Sequence, residues 1–229
     1  MADDSDYKYP DDVMDHYRMN RVMRHRLRNL CAGVKMTVER ISGMTASINP
    51  QIGTRCDIVI GELDSLRLFT DRMDWLFDAL PSAEHKSLFE LVSSLRMAFS
   101  PRFPFCNLDL GGTEAAIILP RGSWIFFALH ELMVNAGEAA GENGKVSLAW
   151  SVDGGTLQFT LGNDGEPFPS DIPCDPPVPF FTSRSRHDGL GLSIAHRVFQ
   201  TVGATWGIIR ENNMTTIKIT IPETEIKHE

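Results

Sequence analysis

Mostly apolar positions recur with a four-three spacing from Asn20 onward: Asn20, Met23, Leu27, Leu30, Val34, Thr37, Ile41, Met44 and Ile48. A seven-residue rhythm of this kind draws one stripe along one side of an α-helix. Asn49-Pro50-Gln51 interrupts it, because proline cannot continue a helix. The same step then resumes through Ile52, Cys56, Val59, Leu63, Leu66, Thr70, Met73 and Phe77. Two helices joined by so short a turn predict an antiparallel hairpin. One hairpin has too little core of its own, so the pattern predicts that residues 12–78 hold a homodimer, two hairpins completing a four-helix bundle. A hairpin packed only on its own chain is the alternative. With Leu27 at heptad position a and Leu30 at d, His25 takes position f and is expected to face solvent.

The pattern changes character at Leu80-Pro81-Ser82-Ala83-Glu84, which has the composition of a hinge. Beyond it, Lys86–Phe99 predicts an amphipathic helix with Leu88, Leu91, Val92 and Leu95 on one side. Strand-like runs follow at Phe103–Leu110 and Ala115–Leu119, then a helix at Ser123–Ala140 and strands at Val146–Val152 and Thr156–Leu161. A Pro-rich stretch precedes a helix at Leu190–Val202 and strands at Thr205–Arg210 and Thr215–Ile221. Intermixed strands and helices predict an α/β sandwich, one mixed sheet backed by helices. The expected class is α+β, with a helical hairpin over 1–80 and the sandwich over 81–229.

At 229 residues, with 42% hydrophobic and 23% charged, the chain has the make-up of one or two globular domains, which excludes wholesale disorder. A net charge of −8 argues against a generic nucleic-acid binder. A local basic patch nevertheless surrounds His25, made of Arg18, Arg21, Arg24, Arg26, Arg28, Lys35 and Arg40, with Glu39 the sole acid among residues 18–40. Such a run reads either as a solvated helix face or as a surface for an anionic partner. The four cysteines, Cys31, Cys56, Cys106 and Cys174, form no Cys-x-x-Cys pair. The acidic amino terminus lacks a signal-peptide core and no apolar run is long enough to span a bilayer, so a cytoplasmic protein without membrane contact is expected.

The helix beginning Trp124-Ile125-Phe126-Phe127 is apolar nearly all round, except for His130, Glu131 and Asn135. Glu131 and Asn135 are one turn apart and share a face. Burying a carboxylate and an amide without partners costs several kcal/mol, so something polar must sit opposite them. A hydrated Mg²⁺ with phosphate oxygens fits, because hard cations take oxygen ligands, and a helix edge in water is the alternative. Leu161-Gly162-Asn163-Asp164-Gly165-Glu166-Pro167 ends a strand in a turn, and the loop from Gly165 to Asp188 is long enough to read as a lid or a disordered segment. Phe180-Phe181-Thr182-Ser183-Arg184 lies near its end, and Gly189-Leu190-Gly191-Leu192 opens a helix whose start suits a phosphate.

Taken in order and spacing, His130–Ala140, Asn163–Pro167, Phe180–Arg184 and Gly189–Leu192 resemble the N, G1, F and G2 boxes of the histidine-kinase ATP-binding domain of the GHKL superfamily, with its Bergerat fold. His25-Arg26-Leu27-Arg28-Asn29 resembles the phosphoacceptor box of the kinases' dimerisation hairpin. The resemblance implies ATP and Mg²⁺ as cofactors and a response-regulator receiver domain as partner. It implies that Asn135 coordinates Mg²⁺, and that Glu131 orients a metal-bound water or acts as a nearby base. Asn163 would read the adenine amino group where the family usually has Asp. Gly165 would let the base approach, and Gly189, Gly191 and Leu192 the phosphates. Phe180 and Phe181 would anchor the lid, while Thr182, Ser183 and Arg184 would lie at the phosphate end. His25 would take the γ-phosphoryl group and pass it to an Asp of the regulator.

Besides Asn163, four residues depart from the family pattern. Arg26 follows the phosphoacceptor where an acid is common, and Glu138 replaces a basic residue three after the metal Asn. His187 replaces a glycine opening the G2 box, and Pro167 replaces the second glycine of the G1 box. A phosphotransfer protein that keeps the kinase fold without binding nucleotide is therefore an alternative. An anti-sigma-type serine kinase is another, although it has no use for the hairpin.

Overall fold

A computed structural model describes residues 11–45, 49–113, 115–168, 176–182, 187–211, 214–222 and 227–228. The chain divides into two compact units, Met1–Leu80 and Pro81–Glu229.

The first unit is a hairpin of α1 (Asp11–Thr45) and α2 (Pro50–Phe77). Asn49 caps α2, its side chain accepting the Gln51 N–H at 3.0 Å, and Pro50 occupies the first turn, where no N–H is needed. The face of α1 against α2 is displaced by one residue from the expected apolar seam. Arg24, Arg28 and Lys35 reach across to Asp74 and Asp78, to Asp71 and Asp74, and to Asp64, with Cys31 buried among them. Met23, Leu30, Val34, Ile41 and Met44 remain exposed on the single chain, Leu30 at 63%. A four-three spacing locates a stripe on a helix but not the surface that covers it. Ile48 lies outside the described residues.

In the second unit, β1 (Lys86–Ser87) leads into α3 (Leu88–Phe99), followed by β2 (Asn107–Gly112), β3 (Ile117–Leu119), α4 (Gly122–Ala140), β4 (Lys145–Asp153) and β5 (Thr156–Asp164). Then come α5 (Gly191–Thr201), β6 (Thr205–Glu211), β7 (Met214–Ile221) and β8 (Lys227–His228). Five strands form a mixed sheet in the order β2-β4-β5-β7-β6, parallel at β2/β4 and antiparallel elsewhere. Val146, Leu148, Leu157, Phe159, Leu161, Ile219 and Ile221 alternate along its strands and are buried, and α4 packs on β4 and β5. The unit is thus an α/β sandwich after an α-helical hairpin.

Two details correct the expectation of one sheet. Ile117–Leu119 joins β1 and β8 in a separate three-stranded sheet. Residues 103–106 make turns, with the strand starting only at Asn107, since Pro104 offers no N–H to a ladder.

The start of α3 is a capping box. The Ser87 hydroxyl accepts the Glu90 N–H at 3.2 Å, and the Glu90 carboxylate accepts the Ser87 N–H at 2.8 Å. The Ser87 backbone and hydroxyl bonds hold the Glu90 carboxyl below its ordinary pKa. Its stabilising effect is therefore present above the unfolded carboxylate's pKa and lost as pH falls through the lower folded one. Ser87→Ala is expected to cost about 1 kcal/mol, read as a lower urea midpoint of the second unit. Glu90→Gln should flatten the acid side of that unit's stability profile. An unchanged profile would show that the box contributes nothing. Among the described residues no helix is long and apolar enough to cross a membrane.

Candidate functional site

The second unit brings three separated stretches together, two of them against the helix that forms the first. Glu131 and Asn135 stand one turn apart on α4, Glu131 only 6% exposed and Asn135 half-buried. Antiparallel pairing sets Asn163, at the end of β5, opposite Val146 of β4 and Thr215 of β7. Immediately after it the chain is stitched to α4, where the Glu166 N–H donates to the Ala139 carbonyl at 3.0 Å. Gly165 makes this approach possible. Its φ is +126°, and a Cβ there would strike that same carbonyl.

The third stretch leads into α5. Gly189 has φ +68°, and a Cβ on it would lie 2.7 Å from the Phe180 carbonyl carbon. The Phe180 N–H donates to the Gly189 carbonyl at 3.0 Å. His187 Nδ1 lies 3.3 Å from Glu138 Oε2, tying the entry to α5 to the face of α4 one turn beyond Asn135. Glu138 also accepts from Arg102 at 3.1 Å. Leu190 gives α5 no side-chain cap, which leaves first-turn N–H groups for an anion, with Gly191 buried and Leu192 half-buried behind it. Phe180, Phe181 and Thr182 are exposed. Ser183 and Arg184 lie outside the described residues.

Asn163 is 5% exposed, and its Nδ2 has no hydrogen-bond acceptor among the described residues. The hydroxyl of neighbouring Thr215 accepts the Phe168 N–H at 3.0 Å. Such an orphaned amide suits the polar edge of a heterocyclic base. No group of three or more His, Cys, Asp or Glu able to hold a metal occurs among the described residues. A cation at Asn135 would therefore complete its shell with phosphate oxygens and water, as Mg²⁺ does. The residues present fit both groups.

In the first unit His25 is exposed, as its heptad position predicts, and its Nε2 lies 3.2 Å from Asn29 Nδ2, one turn on. The basic patch around it is smaller than the sequence suggests. Arg24 is buried and Arg28 and Lys35 are ion-paired to α2, so among the described side chains of the patch Arg21, Arg26 and Arg40 are exposed, Arg18 lying outside them. Sequence reasoning passed over Asn29, Thr215 and the Glu138–His187 pair. Only Asn29 had a local signal, its spacing of four from His25.

Residues 122–225 match the family described as "Histidine kinase-, DNA gyrase B-, and HSP90-like ATPase". No curated protein matches the chain. Among solved structures, the catalytic domain of histidine kinase ThkA aligns at 23% identity over 62% of this chain and 97% of its own, with a TM-score of 0.56. The Acinetobacter baumannii histidine kinase AdeS aligns at 15% identity over 82% of this chain and 95% of its own, TM-score 0.59. Full-length ShkA in complex with AMPPNP aligns at 17% identity over 90% of this chain and 46% of its own, TM-score 0.69, so the chain spans under half of that protein. At these identities the likeness is one of fold. Residues 122–225 are thus similar to the ATPase domains of that family, and the second unit has the fold of histidine kinase catalytic domains.

Proposed function

We propose that this chain is an ATP-dependent protein-histidine kinase that phosphorylates its own His25 and passes the phosphoryl group to an Asp of a response regulator, in the cytoplasm. The observation that carries the reading is the pairing, in one chain, of an ATPase domain with a helical hairpin that displays an exposed imidazole. Neutral imidazole is a nucleophile near pH 7. One ring nitrogen forms a bond to the γ-phosphorus as the bond from phosphorus to the β-phosphate oxygen breaks, ADP leaves, and the other ring nitrogen gives up its proton to water. Such transfers depend mainly on positioning and electrostatics.

Within the second unit Asn163 and Gly165 hold the base, and the start of α5 at Gly189, Gly191 and Leu192 receives phosphate. Phe181 and Thr182 border the phosphate end, to which the sequence also assigns Arg184. Asn135 would hold Mg²⁺, with Glu131 orienting a bound water, and the ion would neutralise charge on the triphosphate. Exposed Met23, Leu30, Val34, Ile41 and Met44 form the stripe that a second copy would cover, making a homodimer through residues 12–78. The exposed arginines near His25 would meet the acidic phosphorylation site of the regulator.

One observation favours a second reading. Glu138 lies against His187 and, as a carboxylate, brings no positive charge to a phosphate. A relay protein of kinase fold that binds no nucleotide would tolerate this. Calorimetry separates the two, since Mg·ATP should bind the wild type and bind Asn135→Ala roughly tenfold or more weaker, the scale set by changes around a metal. No heat with the wild type would favour the relay. Light scattering on the same samples should give the mass of two subunits, and a single-subunit mass would remove the dimer.

A further inference from the structure

The buried amide of Asn163 bears on which nucleotides the site accepts, an inference that rests on the nucleotide-binding reading above. The side chain is 5% exposed, its Nδ2 meets no acceptor among the described residues, and the adjacent Thr215 hydroxyl accepts the Phe168 N–H. A sealed N–H without an acceptor is costly, so the group is arranged for one that arrives with a ligand.

A carboxamide offers two different atoms, Oδ1 accepting and Nδ2 donating. Against a 6-aminopurine, Oδ1 accepts from the exocyclic amino group and Nδ2 donates to ring N1. Turned by half a revolution about χ2, the same amide donates from Nδ2 to O6 of a 6-oxopurine and accepts the N1–H at Oδ1. That torsion is terminal and broadly twofold, so the backbone of β5 and its pairing to Val146 and Thr215 need not change. A carboxylate at this position could only accept, and would face the lone pair of ring N1 in the one base and those of O6 in the other. We propose that Asn163 is a base-reading residue that admits 6-oxopurine nucleoside triphosphates, those of inosine and guanosine, alongside ATP.

The test is calorimetry on the full chain with the magnesium complexes of the β,γ-imido triphosphates of adenosine and inosine, above neutral pH. Inosine is chosen because it carries the 6-oxo group without guanine's additional 2-amino group. The wild type should bind the two within about tenfold of each other. Asn163→Asp, which can donate neither to ring N1 nor to O6, should weaken both compounds about fivefold or more, the lower end of what one bidentate base contact is worth. Adenosine binding with inosine more than about a hundredfold weaker on the wild type would overturn the inference and leave the nucleotide reading standing. Unchanged binding of both compounds by Asn163→Asp would also overturn it. Binding of neither compound would overturn the nucleotide reading itself. The wild-type ratio decides the matter even if Asn163→Asp fails to fold, which a thermal melt would show.

Discussion

His25→Gln is expected to bring incorporation of acid-labile phosphate from γ-labelled ATP down to background, a loss of roughly a hundredfold or more, because no other group replaces the attacking nitrogen. The substitution is well suited to the question. His25 is exposed on α1, and exposed positions away from special features usually change stability by no more than about 0.5 kcal/mol. Every residue proposed to hold nucleotide lies in the other unit, so Mg·ATP affinity should stay as in the parent. A variant that binds nucleotide but takes no phosphate would isolate the chemical step. Labelling of His25→Gln equal to the parent would refute the assignment, and acid-stable label on a partner would point to a serine kinase.

Arg24→Ala is expected to destabilise the hairpin by about 3 kcal/mol, the lower end of what removing one member of a buried ion pair costs, since its carboxylate partners are partly exposed. Arg24 is 2% exposed. Its Nε donates to Asp74 Oδ1 at 2.7 Å, its Nη2 lies 2.7 Å from Asp78 Oδ1, and its Nη1 donates to Asn20 at 2.7 Å. Burial works to lower the guanidinium's pKa, but hydrogen bonds and charge from Asp78 and Asp74 offset this and raise it. Without the guanidinium, Asp74 would keep Arg28, while the bond to Asp78 and the contact over the Phe77 ring would be lost. Arg24→Lys should recover little, because one ammonium cannot reproduce the planar fork. Arg24→Met combined with Asp74→Leu and Asp78→Leu should recover most of the loss, as apolar side chains of similar volume often replace a buried ion cluster without cost. Urea unfolding followed by helical circular dichroism measures all three. An Arg24→Ala midpoint equal to the parent's would show that the cluster contributes nothing.

Much of this architecture was legible in the sequence because it depends on local periodicity. The four-three spacing and Pro50 gave both helices of the hairpin and the outward placement of His25. The polar interruptions in an apolar helix marked Glu131 and Asn135 before any fold was known, and Glu131 is indeed buried. Alternation along Thr215–Ile221 marked a strand with one buried face.

Other features depended on pairings that no local pattern encodes. Arg24 was placed with a solvated patch, yet it is buried through partners fifty residues away. Its burial follows from the register of α1 on α2, which the stripe alone leaves open. Ile117–Leu119 has the composition of a strand, but only chain tracing in space sends it to β1 and β8. Glu138 and His187 each look like a lost phosphate contact until the fold sets them 3.3 Å apart. The sequence alone thus determined the element types, the exposed imidazole and the polar face of α4, since each follows from spacing within a single helix or strand. Tertiary structure alone decided which stripe of α1 packs inward, which sheet receives β3, and that the Asn163 amide is sealed with its N–H unmatched. Those depend on long-range register and burial, which are properties of the closed chain rather than of any one segment.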